Sequence, residues 1–147
     1  MLNFKKQLLV VVISSLSALT ACNKREAPAQ VNADVAQAQA NKSENVGEAM
    51  KDQATVAAKT SADATSRDPD DRGSALKKRA DAAYDVATAK AEGDMKIAVQ
   101  GCEALPSKSQ AACTQKAHGA YEVTKAQAKA DRDNANAQGN AVKKLDN

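Results

Sequence analysis

Cys102 and Cys113 stand in an alanine-rich run with ten residues between them, Pro106 among these. Proline lacks an N–H and restricts the residue before it, so a helix reaching Leu105 must end there. Upstream, Ala80, Tyr84, Ala87, Ala91, Met95, Ala98, Cys102 and Leu105 recur at steps of three and four residues. That is one face of an α-helix. The pattern repeats from 80 to 91 to 102, an 11-residue period that goes with nearly straight or slightly right-handed packing. Downstream, Cys113, Ala117, Ala120, Thr124 and Ala128 form a second such face. Folding the chain back at Pro106 sets Cys102 opposite Cys113, Ala98 opposite Ala117, Met95 opposite Ala120 and Ala91 opposite Thr124. The two stripes, read separately, meet in one register. The sequence therefore predicts an all-α fold, an Ala-rich antiparallel helical hairpin over residues 74–138. Ser107 is placed to cap the second helix, and Gln110 completes a capping box with it.

Such a hairpin has little to bury. After Cys22 the aromatic residues are Tyr84 and Tyr121 alone, and Leu, Ile and Val are scarce. A large apolar side chain contributes about 1.5–3 kcal/mol when buried, and this chain offers mostly methyl groups. Ala, Lys, Glu, Gln and Arg favour helix, so close-packed helices of marginal stability are expected. A thin core and a single histidine, His118, read as a solvated helix residue, give no convergent base, nucleophile and orienter. No catalytic residue, cofactor or metal site is expected. No basic patch calls for nucleic acid.

Before the hairpin, Asn23 to Ala33 reads as a flexible tether, giving 22–33 with Cys22. Residues 34–66 read as a helix or a disordered segment, with a third helix left open. Val31, Val35 and Ala38 keep helical spacing, Lys42 interrupts it, and Val46, Ala49, Met50, Ala54 and Ala57 resume it. Gly47 weakens the middle by about 1 kcal/mol relative to Ala. Residues 67–73 form a linker around Asp68-Pro69, with Asp70, Asp71 and Ser74 as candidate helix caps. Asp68, Asp70, Asp71 and Gly73 do not make a calcium loop, because Arg79 stands where its closing Glu belongs. Residues 139–147 are expected to fray.

The first residues have their own order. Lys5-Lys6 are followed by an apolar run and then by small residues, the layout of a secretory signal over residues 1–21. The run is too short for a membrane span, which takes about 20 apolar residues. Leu19-Thr20-Ala21-Cys22 resembles the lipobox of bacterial lipoproteins. The resemblance implies diacylglycerol on the Cys22 thiol, cleavage before Cys22 and a membrane-lipid partner. Asn23 is not the Asp that marks inner-membrane retention in two-membrane bacteria, so the resemblance implies the outer membrane, facing the periplasm. Removing Lys5 and Lys6, and no acid, lowers the formal charge from +3 to about +1.

With Cys22 committed to lipid, Cys102 and Cys113 remain as an even pair in an oxidising compartment. A structural disulfide is the leading reading, with Gly101 and Ala112 beside it to let the helices approach. A metal pair and a redox pair are the alternatives. Ala83-Tyr84-Asp85-Val86 recurs as Ala120-Tyr121-Glu122-Val123, which fits duplication of one helical unit or plain alanine bias. Tyr84 and Tyr121 are candidate partner contacts, or cover for the thin core. The expected role is that of a lipid-anchored structural or adaptor protein of the cell envelope. Its partner would be an envelope protein or peptidoglycan bound non-covalently. The major helical lipoprotein of the bacterial outer membrane is similar in composition, but it ends in a wall-linked Lys and this chain ends Lys143-Lys144-Leu145-Asp146-Asn147. The alternative is a partly disordered, stress-protective or partner-binding lipoprotein that folds on binding.

Overall fold

The computed structural model of the chain describes residues 26–144. Four helices follow in order: α1 (Pro28–Lys59), α2 (Ser61–Thr65), α3 (Pro69–Cys102) and α4 (Ser107–Lys143). The described residues contain no strand, and the fold is all-α. α3 packs on α4 and on α1, while among the described residues α1 and α4 do not pack on each other. The long helices therefore form one antiparallel layer with α3 in the middle.

The middle helix has two narrow sides. Gly73, Ala91 and Cys102 meet α4, whereas Ala82 and Gly93 meet α1. At ~100° per residue these sets lie about 180° apart round α3. Only small residues are fully buried on either side, and the buried apolar residues are Val31, Ala75, Ala82, Ala91 and Cys102. At Gly73 the α3 and α4 backbones touch. A Cβ there would overlap the Gly139 carbonyl oxygen, and a Cβ on Gly139 would come within 2.8 Å of the Gly73 carbonyl oxygen.

Lys42 does not interrupt α1. The inward stripe runs Val31, Val35, Ala38, Lys42, Val46, Ala49, Gln53, Val56, Thr60, every member buried or half-buried. The Lys42 stem lies across Gly93, where a Cβ would meet Lys42 Cβ at 2.7 Å, and its ammonium pairs with Asp94. Burying a lysine stem while its head stays wet is ordinary for that side chain. It requires a glycine opposite.

The end of α1 is held by Arg79. Its Nε donates to Thr60 Oγ1 at 2.9 Å and its Nη2 to the Ala57 carbonyl at 3.3 Å. Thr60, 2% exposed, donates in turn to the Val56 carbonyl at 2.8 Å. A guanidinium on the last carbonyls of a helix satisfies acceptors that have no partner within the helix and meets the negative end of its dipole.

Several boundaries differ from those expected. The tether does not extend to Ala33, because Pro28 opens α1 and proline is pre-organised for the first helical position. The 34–66 segment is helical, as α1 and α2. The linker is shorter than 67–73, because Pro69 opens α3 and Asp68 caps it, accepting from the Asp70 N–H at 2.8 Å. Residues 139–143 continue α4. Gly139 is buried there, and Lys143 reaches Asp70 at 3.7 Å. The hairpin thus runs beyond 74–138 at both ends. Ser107 is the first residue of α4 and makes no side-chain cap. Gln110 Nε2 donates instead to the Glu103 and Leu105 carbonyls, at 3.1 and 3.0 Å.

The glycines fall into two groups with opposite expected outcomes. Gly93→Ala and Gly139→Ala should each destabilise the fold by about 1–3 kcal/mol through overpacking, although alanine is the better helix former. Gly47 and Gly119 face open space, so Gly47→Ala and Gly119→Ala should each add about 0.5–1 kcal/mol. Thermal melts of the four variants check the sign at each position.

Candidate functional site

The groups that carry chemistry gather where α3 turns into α4. Cys102 and Cys113 are joined by a disulfide, with Cα atoms 5.7 Å apart, inside the range a bridge needs. Gly101 plays no part in this approach, since its open side meets nothing within 4 Å. The approach comes from position. Cys102 ends α3, Cys113 lies in the second turn of α4, and the short turn at 103–106 keeps the two helix ends together. Both thiols are consumed in the bond, so neither is left as a metal ligand.

The start of α1 reaches the same end. Glu26, Asp34 and Glu103 are half-buried, and each brings a carboxylate oxygen within 4.8 Å of the others. Among the described residues, no other set of three His, Cys, Asp or Glu donors converges so closely. Glu26 Oε2 is screened from water without a hydrogen-bond partner. The side-chain hydrogen bond to Glu103 is the largest cause holding the Glu26 carboxyl above its usual value; desolvation and the charges of Glu103 and Asp34 act in the same direction. No signal in the sequence pointed to this arrangement, because Glu26 and Glu103 lie on different elements.

Tyr84 and Tyr121 occupy matching places on the seam between α3 and α4. Tyr84 is half-buried beneath Arg132, whose guanidinium carbon stands 4.6 Å from the ring centroid. Tyr121 is half-buried beneath the Lys125 ammonium, at 5.3 Å. Such cation–ring contacts contribute about 0.5–1 kcal/mol where partly exposed. The expected inner stripe of α4 is displaced. Ala120 and Thr124 are exposed, while Tyr121 and Lys125 are half-buried. Rings and long aliphatic stems cover more of α3 than methyl groups can, which favours the rotated face. Ala87, Ala91, Met95 and Ala98 of α3, with Ala117, Ala120 and Tyr121 of α4, line an open groove along the seam. His118 is exposed on α4.

Cys22 and the 1–21 signal lie outside the described residues. Among the described residues no helix is long and apolar enough to cross a membrane. Comparisons with protein-family models, curated proteins and solved structures found no match.

Two measurements test this end of the molecule. Cys102→Ser should lower the melting temperature, since closing a loop of this length is worth about 3 kcal/mol in the entropic account. Reductant should do the same to the unaltered chain and have no further effect on the variant. For Glu26 the sign follows from the raised value. A carboxyl that binds its proton more tightly when folded favours the fold increasingly as pH falls through the window between its folded value and the ordinary 4.5. Protection factors at residues 28–34, taken relative to the intrinsic exchange rate at each pH, should therefore rise on mild acidification, and Glu26→Gln should flatten that rise.

Proposed function

We propose that this chain is a lipid-anchored cell-envelope protein with a structural or adaptor role and no catalytic one. In this reading Cys22 carries the lipid, the protein sits at the outer membrane facing the periplasm, and the helical layer presents a face to an envelope protein or to peptidoglycan without a covalent link. The observation that carries it is the extended antiparallel layer itself. α3, of 34 residues, is about 51 Å long at 1.5 Å per residue, and α1 and α4 stiffen it from both sides. The seam groove leaves a row of methyl groups at the surface. That suits recognition of a partner helix better than enclosure of a small molecule.

A chain that folds only on its partner is less well supported. α1 is seated on α3 through Lys42 on Gly93, through the Lys42–Asp94 pair and through Arg79 at its C-terminus. The mature protein should therefore be strongly helical alone by circular dichroism, at neutral pH and without any partner. The location is tested separately. Cys22→Ser should move the protein from the membrane fraction to the soluble fraction of intact cells with its helix content unchanged. Continued co-fractionation of this variant with membranes removes the anchor from the reading.

A further inference from the structure

We infer that the layer stands on its disulfide end, with the turn at 103–106 resting on the lipid surface and Leu105 at the contact. This deepens the anchor reading and depends on it. The first argument is reach. A chain spans at most about 3.3–3.6 Å per residue. From Cys22 to Glu26 is four steps, so Glu26 lies within about 14 Å of the lipid attachment. A tether running to Ala33 would have left the orientation open, but α1 begins at Pro28. Glu26 is in turn held beside Glu103, two residues from Leu105. The anchor therefore emerges at the turn between α3 and α4.

The second argument is the chemistry of the two ends. Leu105 is 37% exposed at the tip of the turn, and Lys108 is exposed just beyond it. An exposed apolar side chain with a lysine three residues on suits the boundary between acyl chains and anionic headgroups. Glu26, Asp34 and Glu103 bring acidic groups to the same end and oppose that attraction. The far end, Thr60-Ser61-Ala62-Asp63-Ala64-Thr65-Ser66-Arg67-Asp68, has no large apolar side chain. Met50 and Val123 are also exposed, at 54% and 72%, but both lie in the middle of long helices. Val123 lies about 24 Å along α4 from its first residue, Ser107, and so far from the turn that carries Leu105.

The test uses the mature protein carrying its own lipid, reconstituted in phosphatidylethanolamine–phosphatidylglycerol vesicles doped with a headgroup nitroxide lipid. A fluorescent amino acid is encoded at position 108 in one sample and at position 67 in another. The two ends are about 50 Å apart, so quenching at 108 should exceed that at 67 by about fivefold or more. Equal quenching would mean that the layer lies flat, and stronger quenching at 67 that it is inverted; either overturns the inference. Leu105→Asp should reduce quenching at 108 by about half or more, with flotation retained through the lipid. Unchanged quenching removes Leu105 from the contact. Flotation of Cys22→Ser is scored in parallel. If that variant floats with the vesicles, the anchor reading fails, whereas its release together with flat quenching defeats the orientation alone.

Discussion

Gly73 and Gly139 can bring two helix backbones into contact because neither has a Cβ. Without that approach α3 and α4 would have to separate at the end remote from the disulfide. The small seam residues between would then lose the contacts that hold them. Van der Waals attraction falls off within an ångström of the optimum, so a chain that packs methyl groups cannot tolerate a wide gap. Glycine at one end and a covalent bond at the other fix the spacing along the whole seam. Gly93 does the same work on the opposite side of α3, where it admits a lysine stem.

This use of glycine explains how a sequence so poor in large apolar residues supports three long helices. Part of the burial is done by charged side chains lying flat. Lys42 crosses α3, Arg132 covers Tyr84, and Lys125 covers Tyr121. Their stems supply hydrocarbon that the apolar residues do not, and their heads stay in water. The layer is open as a consequence. With no contact between α1 and α4, both faces of α3 keep exposed residues, and the groove along the α3–α4 seam offers a partner a ready-made methyl-lined track.

Two residues of the matched segments show how much repetition the structure retains. Tyr84 and Tyr121 each face the opposite helix of the hairpin, and each ring lies under a cation. Met95 lines the same groove as Tyr121, while Arg132 lies on Tyr84. The positions matched in sequence both cover the seam, but Tyr84 takes its cation from the opposite helix and Tyr121 from its own, so their surroundings differ.

The sequence by itself determined the hairpin and its register, and made a disulfide the leading reading of its cysteine pair. Helical periodicity and a proline stop are local properties, and two cysteines either side of a short turn have nowhere else to meet. The motif at residues 19–22, on which we propose the lipid at Cys22, is likewise short and contiguous. Tertiary structure decided what depends on a lateral neighbour. It set α1 on the second narrow side of α3, turned Lys42 from an interruption into a contact, rotated α4 towards Tyr121 and brought Glu26 to Glu103. None of these can be read along the chain, since each is fixed by what faces a residue across a helix interface. A periodic stripe records that a face will be covered, and the neighbour that covers it follows from which small residues let a backbone come close.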